Sequence, residues 1–376
     1  MSLVAFLDNS QRAAHAAAPP PPDPRAVAFH RSIPGYAPSA VAEAPAAAAR
    51  LGLSGLTVKL ETERFGLPSF KVLGASWAIC RALSLRVGVE PAATFADLRA
   101  IAVRLDGLTL VTATDGNHGR AVAHVARMVG LDAHILIPQD TAQARIDAIA
   151  AEGASIEIVD GSYDDAVGRS AALASDDHIV ISDTSWPGYE EVPGWVADGY
   201  ATIFEELAAQ LPGGPPPLVA IQIGVGALAS AAIRALAAPG RVVVGVEPAG
   251  ADCALQAVAG GRPVLVAGPH RSIMAGLNCG LASHVALPDM AAGIDVFCSI
   301  DDRSAEEAVR LLLRDDLACG ETGAAGVAGL LALRDARPDR TWERLGLRGE
   351  PRPAGLAICT EAPTDPASFA RITGGG

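Results

Sequence analysis

From about residue 108 onward, short apolar runs alternate with amphipathic segments, and no other feature constrains the fold as much. The runs LTLVTA (108–113), AHILI (133–137) and SIEIV (155–159) have the length and the β-branched content of buried strands. Helical patterns occupy the segments between them. Strands that alternate with helices predict parallel-rich sheets flanked by helices, so the chain is predicted to have an α/β fold.

The length of the chain predicts two lobes, because 376 residues are many for one hydrophobic core. We predict a large domain of residues 1–80 and 195–376 and a smaller inserted α/β domain of residues 81–194. A Pro-rich arm at about 19–25 is predicted not to be helical. Further predicted elements are strands at 178–182, 218–223, 241–246 and 355–359, and helices near 118–130, 141–152, 162–175, 304–316 and 325–336.

The composition argues against several classes of protein. Half of the residues are hydrophobic and 19% are charged, which is typical of a well-buried globular protein. A formal net charge of −13 argues against nucleic acid or an anionic membrane as a partner. No apolar run approaches the length of a membrane span, and a cytoplasmic location is expected. The six cysteines include no CxxC pair, so neither a metal site nor a disulfide framework is predicted.

The loop GVGALAS (224–230) lies between a predicted strand and a helix. A glycine-rich turn at a helix N-terminus presents backbone N–H groups to an anion, and phosphate is the usual ligand. Gly224, Gly226 and the later Glu247 resemble a dinucleotide fingerprint, but Ala229 stands where the third glycine is required. The loop alone therefore indicates either an anion site or a plain tight turn.

Lys71 lies among apolar residues in ETERFGLPSFKVLGASWAI (61–79) and opens a predicted helix. A lysine at a helix end usually extends its amine to solvent. The alternative is a desolvated amine with a lowered pKa, suited to forming a Schiff base. A second unusual feature is Asp115 in TATDGNHG (112–119), because a carboxylate stands where backbone N–H groups would favour an anionic ligand.

Three motifs, SFK (69–71), TDGNHG (114–119) and the glycine loop, occur in an order that resembles the fold type II pyridoxal-phosphate enzymes. This tryptophan synthase β-like superfamily includes the serine and threonine dehydratases. The resemblance implies a two-lobed fold with pyridoxal 5'-phosphate bound to Lys71 as a Schiff base. It also implies cofactor contacts from Asn117, Gly224, Val225, Gly226, Ala227, Leu228 and Thr360.

Longer motifs resemble the diaminopropionate ammonia-lyase family over nearly the whole chain. They include FHRSIPGYAPSAV (29–41), DGNHGR (115–120), DTSWPGYEEVP (183–193) and SIMAGLNCG (272–280). The resemblance implies a carbon–nitrogen lyase that eliminates the β-amine of 2,3-diaminopropionate. The resulting aminoacrylate would give pyruvate and a second ammonia. A homodimer that acts on a small amino acid is expected, and no metal is implied.

The same resemblance assigns roles to two acids. Asp115 is expected to act as base toward the D-substrate and Asp183 toward the L-substrate. For Asp183, capping of the loop after the strand at 178–182 remains the alternative. The expected substrate-binding residues are Thr114, Asp115, Gly116 and His118.

The sequence leaves three points open, namely a departure from a family motif, the pairing of two cysteines and the alternative functions. In TEAPTD (360–365), Ala362 and Pro363 replace the Gly-Asp of the family motif. Cys253 and Cys279 match cysteines of the family pattern, and their pairing is left open. The alternative functions are a serine/threonine dehydratase-like or β-replacement enzyme, a silent cofactor-binding protein and a nicotinamide dehydrogenase. Asp115 together with Asp183 argues against the dehydratase, and the incomplete glycine fingerprint argues against the dehydrogenase.

Overall fold

A computed structural model describes residues 3–10, 20–336, 341–347 and 352–374 of the chain. The strands are β1 (Leu3–Asp8), β2 (Val41–Glu43), β3 (Gly55–Leu60), β4 (Thr109–Ala113), β5 (Asp132–Pro138), β6 (Ser155–Val159), β7 (His178–Val180), β8 (Leu218–Gln222), β9 (Val242–Pro248), β10 (Val296–Ile300) and β11 (Ala354–Cys359). The helices are α1 (Arg25–Ser32), α2 (Pro45–Leu51), α3 (Lys71–Arg86), α4 (Phe95–Val103), α5 (Asn117–Val129), α6 (Gln143–Ala150), α7 (Tyr163–Ala171), α8 (Glu191–Gln210), α9 (Ala227–Leu236), α10 (Cys253–Gly260), α11 (Leu287–Gly293), α12 (Asp302–Leu313), α13 (Glu321–Ala336), α14 (Thr341–Arg344) and α15 (Pro366–Thr373).

The strands form two sheets. A seven-stranded sheet has the order β1-β10-β9-β8-β11-β3-β2, and only its edge strands β1 and β2 are antiparallel to their neighbours. A four-stranded, fully parallel sheet has the order β6-β5-β4-β7. The predicted α/β fold is therefore confirmed. The division into a large and a small domain stays a prediction, although the smaller sheet lies wholly within residues 109–180.

Parallel order brings the carboxyl ends of neighbouring strands to one edge of each sheet, where ligands of open α/β sheets bind. In the large sheet β8, β11 and β3 are neighbours, so the glycine loop, Thr360 and the segment leading to Lys71 leave the same edge. In the small sheet β4 and β7 are neighbours, so the loops that carry Asp115 and Asp183 lie side by side.

Close packing of α3 against α8 sets the position of Lys71 at the start of α3. A Cβ atom on Gly199 would lie 2.5 Å from the Leu73 carbonyl oxygen, and one on Gly74 would lie 2.5 Å from the Tyr200 ring. Glycine at both positions therefore lets the two helix backbones approach. The aromatic rings of Phe70 and Tyr200 pack against each other at 4.6 Å between centroids, directly before Lys71.

A buried network of charges lies beneath the segment between β3 and α3. Glu206 of α8 accepts hydrogen bonds at 2.7 Å from both Lys59 and Arg64, and Arg64 also pairs with Glu61 at 2.6 Å. These four side chains are at most 2% exposed. Buried charges are tolerated when every partner is present, so the network ties β3 and the following turn to α8.

Most predicted elements are present, with several corrections. All seven predicted strands occur, with ends within two residues of the predicted ones. Arg25, predicted within the Pro-rich arm, begins α1, and residue 19 of that arm lies outside the described residues. The helix predicted at 325–336 begins at Glu321, where the acid faces the positive end of the helix dipole. The helix predicted at 162–175 ends earlier than predicted, at Ala171.

The sequence predicts no disulfide framework, but the structure contains one disulfide. Cys319 and Cys359 form a disulfide across 40 positions of sequence. The backbone N–H of Gly320 binds the Glu361 carbonyl at 2.9 Å, which brings the two segments together without any local cysteine motif. Cys253 and Cys279 are free thiols. None of the helices in the described ranges combines the length and apolar character that a bilayer crossing requires.

We predict that Glu206→Leu lowers the free energy of unfolding by about 3–5 kcal/mol, because it leaves Lys59 and Arg64 buried without their shared carboxylate. Urea unfolding followed by circular dichroism measures this change. The neighbouring exposed Glu205 is the matched control, and Glu205→Leu should change stability by no more than about 0.5 kcal/mol. Equal effects of the two variants would show that the network adds nothing to stability.

Candidate active site

The amine of Lys71 reaches a cavity, here called the lysine cavity, that loops from both sheets line. Its lining residues are Phe70, Lys71, Asp115, Asn117, Gln222, Gly224, Val225, Gly226, Ala227, Leu228, Gly276, Leu277, Thr322, Thr360 and Glu361. An adjoining inner pocket shares Lys71 and Asp115 with it and also contains Thr114, His118, Tyr163 and Asp183. The sequence-predicted residues Lys71, Asp115 and Asp183 thus meet in one place.

Lys71 and Asp183 form an ion pair in the inner pocket, with Nζ 2.7 Å from Oδ2. Burial alone would lower the pKa of Lys71, but the Asp183 carboxylate outweighs burial and raises it above its ordinary value. Burial likewise opposes ionisation of Asp183, and the Lys71 ammonium overcomes it, so the pKa of this carboxyl lies below its ordinary range. Each group therefore holds the other in its charged form.

Tyr163 and His118 complete the surroundings of Asp183. The Tyr163 hydroxyl donates to Asp183 Oδ1 at 3.1 Å, and Nδ1 of His118 lies 3.9 Å from Oδ2. The other ring nitrogen of His118 is 2.8 Å from the Ile181 carbonyl oxygen. Burial, the largest influence, lowers the pKa of His118, which favours a neutral ring that donates through Nε2 to Ile181.

Asp115 differs from Asp183 in its electrostatic surroundings. It lines the lysine cavity, the inner pocket and a wider outer cavity toward solvent that also contains Arg145. Burial raises the pKa of Asp115 to about 6, and the charges of Lys71 and Arg145 oppose the rise. A carboxyl with a pKa near neutrality is suited to taking and returning a proton.

The glycine loop reaches the cavity at the start of α9. Gly226 has a φ of 104°, and a Cβ atom there would lie 2.6 Å from Cε of Met290. A Cβ atom on Gly224 would lie 2.9 Å from the Gly276 carbonyl oxygen. Gly226 and Ala227, at the start of α9, line the cavity, and no side chain caps this helix. Ser230 does not take part, because its hydroxyl donates to Asp289 at 2.5 Å.

Two further predicted residues lie on the cavity wall. Asn117 begins α5, and its amide nitrogen donates a short hydrogen bond to Glu361. The Thr360 hydroxyl accepts a hydrogen bond of 2.8 Å from Nε2 of Gln222 and donates one of 3.5 Å to the Thr322 carbonyl oxygen. Both hydrogen-bonding roles of the Thr360 hydroxyl therefore have partners within the protein.

Hydrogen bonds within the predicted substrate-binding loop fix its backbone conformation. The Thr114 hydroxyl accepts hydrogen bonds from the backbone N–H groups of Gly116 at 2.9 Å and Gly119 at 3.0 Å. Thr114 and His118 line the inner pocket. Gly116 lines none of these cavities, because the Arg145 side chain covers it, with Cδ 3.0 Å from the position of a Cβ atom.

Sequence reasoning missed Tyr163, Gln222, Thr322 and Glu361 on the walls of these cavities. Tyr163 lies within an ordinary capping box, between Ser162 and Asp165, which gives no sign of a functional role. Glu361 lies in TEAPTD (360–365), and the sequence assigns no role to it. Its position directly after Thr360 at the end of β11 is the one signal that could have identified it.

The chain contains only two lysines, Lys59 and Lys71. The Lys59 side chain is 0% exposed, and its amine binds Glu206, Gln210 and the Ser39 carbonyl at 2.7–2.9 Å. Lys71 is 18% exposed at its side chain and lines two cavities. Lys71 is therefore the one lysine side chain of this sequence that can reach a ligand.

Comparison with known proteins gives a consistent result. A family model described as pyridoxal-phosphate dependent enzyme matches residues 33–342. The diaminopropionate ammonia-lyase of Escherichia coli strain K12 is 35% identical over 354 residues, which cover 90% of this chain and 87% of that protein. The crystal structure of the E. coli enzyme with an aminoacrylate–PLP azomethine reaction intermediate has a TM-score of 0.85 at 30% identity, covering 98% of this chain and 96% of that one. Its complex with D-serine gives 0.87, with the same identity and coverage.

The residues of the lysine cavity fit pyridoxal phosphate. Lys71 supplies an amine for the aldehyde, and the uncapped start of α9 supplies backbone N–H groups for the phosphate. The space that a Cβ atom would fill at Gly226 allows the backbone to approach an anion closely. Thr360 and Asn117 offer polar groups for the ring.

We predict that Gly226→Ala weakens binding of pyridoxal phosphate by about tenfold or more, because the added methyl meets Met290 and L-residues disfavour this φ. Binding of pyridoxal, which lacks the phosphate, should change little. Spectrophotometric titration measures both constants. Gly168→Ala, at a helical glycine with open space around it, is the control and should leave both unchanged. Equal weakening for the two ligands would contradict a phosphate role for this loop.

Proposed function

The chain belongs to the diaminopropionate ammonia-lyase family of pyridoxal-phosphate-dependent enzymes, and we propose that it converts 2,3-diaminopropionate to pyruvate and two ammonia. The observation that carries this proposal is the presence of two carboxylates, Asp115 and Asp183, around the one accessible lysine. A second ammonium on the substrate would balance the second carboxylate. A mono-amino acid would leave Asp115 without that partner.

Lys71 is proposed to hold the cofactor and to be regenerated at each turnover. When bound, pyridoxal phosphate supplies an electron sink that stabilises the negative charge left at the α-carbon. The ion pair with Asp183 orients the Lys71 amine toward the inner pocket. Thr360 would present a neutral hydroxyl to the ring nitrogen, and the start of α9 would hold the phosphate.

Asp115 and Asp183 are proposed to remove the α-proton from opposite enantiomers. The family resemblance assigns the L-substrate to Asp183, which lies next to Lys71 and accepts a hydrogen bond from Tyr163. The same resemblance assigns the D-substrate to Asp115, which also lines the outer cavity. Each carboxylate would accept the α-proton and return it to the departing ammonia, which leaves as ammonium. The overall reaction then releases no net proton.

Arg145 is proposed to help bind the substrate from the outer cavity. Its Nε lies 3.3 Å from the Thr364 hydroxyl, so the side chain joins α6 to the segment after β11. On the family resemblance alone, we also propose that two copies associate, that the substrate is a small amino acid and that the enzyme works in the cytoplasm. The predicted large and small domains would close over the substrate and exclude water.

The proposed function is tested by pyruvate release from the cofactor-loaded protein. D- and L-2,3-diaminopropionate, L-serine and L-threonine are offered separately at equal concentration. We expect rapid turnover of the diamino acids and at least about a hundredfold lower kcat/KM for the hydroxy amino acids, since the site would then lose its charge partner. Faster turnover of serine or threonine would instead support the dehydratase alternative.

We predict that Asp115→Asn lowers kcat for the D-substrate by about a hundredfold or more and spares the L-substrate. Asp183→Asn should lower kcat for both enantiomers, because Lys71 loses its partner, and more strongly for the L-substrate, because the base is also lost. Steady-state kinetics of both variants with both enantiomers form the test. Asp140→Asn is the control, because Asp140 lines the outer cavity at 67% side-chain exposure and has no proposed role. Equal losses for both enantiomers in either variant would remove that residue as a stereospecific base.

A further inference from the structure

Glu361 contacts Asn117 across the boundary between the two sheets. Asn117 follows β4 of the small sheet, and Glu361 follows β11 of the large sheet. The Asn117 Nδ2 donates a short hydrogen bond to Glu361 Oε2. Both residues line the lysine cavity, and Glu361 is only 2% exposed. The contact is therefore an internal one, made at the wall of the cofactor site.

The backbone of Glu361 is fixed relative to Lys71. Glu361 forms an isolated β-bridge with Ser69, and the Thr360 carbonyl accepts a hydrogen bond of 3.4 Å from the N–H of Phe70. The Glu361 carbonyl accepts another of 2.9 Å from Gly320. Since Lys71 follows Phe70 directly, these backbone contacts fix the position of Glu361 relative to Lys71.

An asparagine amide can present either its carbonyl or its NH₂ group to a neighbour, and the neighbour decides which. Nδ2 is the atom that faces Glu361 Oε2, and a carboxylate oxygen that accepts from Nδ2 selects this orientation of the amide. Nδ2 carries two hydrogens, and Glu361 uses one. Burial raises the pKa of Glu361 above its ordinary value, and the Arg145 charge and the hydrogen bond from Asn117 oppose the rise.

We propose that Glu361 is a positioning residue that sets the Asn117 amide so that its remaining N–H points into the cofactor site. The chemical partner of that N–H is an anionic oxygen, and the phenolic oxygen of the pyridoxal ring is such a group. The reversed amide would place a carbonyl against that oxygen and repel it. This inference rests on the assignment of Asn117 to the cofactor, but not on the identity of the substrate.

Two substitutions of similar size separate this role from packing. Glu361→Gln keeps a carbonyl that accepts from Nδ2, whereas Glu361→Met fills the same space with no effective acceptor. We expect Glu361→Met to raise the Kd for pyridoxal phosphate by roughly tenfold, since one oriented hydrogen bond is lost. Glu361→Gln should raise it by no more than about threefold. The visible absorption spectrum of the bound cofactor should shift in the Met variant and be largely restored in the Gln variant.

A double-variant cycle tests the route through Asn117. Asn117→Ala alone should weaken cofactor binding about as much as Glu361→Met, and the combined variant should be no weaker than either. The buried Glu321 lies nearby but has no hydrogen bond to Asn117 among the described residues, so Glu321→Met is the matched control and should change the Kd less than threefold. Circular dichroism verifies folding, and Glu361→Ala replaces the Met variant if that variant does not fold.

Three results would overturn the proposal. If Glu361→Gln and Glu361→Met raise the Kd for pyridoxal phosphate equally, the loss of affinity arises from charge or packing and not from the hydrogen bond with Asn117. Additive losses in the double variant would show that Glu361 acts independently of Asn117. If the wild-type protein does not bind pyridoxal phosphate, the Asn117 N–H has no cofactor oxygen to bind. Failure of the proposed function is distinguishable, because a protein that binds the cofactor but releases no pyruvate from diaminopropionate leaves the inference on Glu361 intact.

Discussion

The ion pair between Lys71 and Asp183 is the interaction on which the site depends. An ammonium and a carboxylate in a largely buried pocket are stable only together, because each alone would carry an unpaired buried charge. Lys71 is the first residue of α3, which follows β3 of the large sheet, and Asp183 follows β7 of the small sheet. The pair thus joins the two sheets at the place where both present their carboxyl-terminal edges. Tyr163 and His118 surround Asp183, and Asp115 lies at the outer side of the same pocket.

Much of this arrangement could be predicted from the sequence. The alternation of strands and helices predicts the parallel sheets, and parallel order places the glycine loop, Thr360 and the two aspartate loops at sheet edges. The residues alone leave the roles of Lys71 and the glycine loop open, and the resemblance of the motifs to a known family assigns these residues and Asn117 to the cofactor. Each of these motifs is a short stretch that can be read without knowledge of long-range contacts.

What the sequence does not reveal depends on contacts between distant segments. The hydrogen bond from Asn117 to Glu361 joins residues 244 positions apart, and Tyr163 meets Asp183 through the packing of α7. The disulfide of Cys319 and Cys359 follows from backbone pairing between two segments and not from any cysteine motif. The edge strand β1 pairs with β10 nearly 300 residues later, and neither strand was predicted. Such pairings are set by tertiary packing, which overrides local propensity.

Because the chain has only two lysines, the assignment of Lys71 as the cofactor-binding residue can be tested directly. With Lys59 enclosed by Glu206, Gln210 and Ser39, an aldehyde cofactor has one side-chain amine to react with. The most direct measurement is reduction of the holoprotein with borohydride, followed by proteolysis and mass spectrometry of the peptides. We expect one cofactor per chain, attached to the peptide that contains Lys71, and no attachment in Lys71→Ala. A label on Lys59 or on the chain terminus, or an undiminished label in Lys71→Ala, would contradict the account.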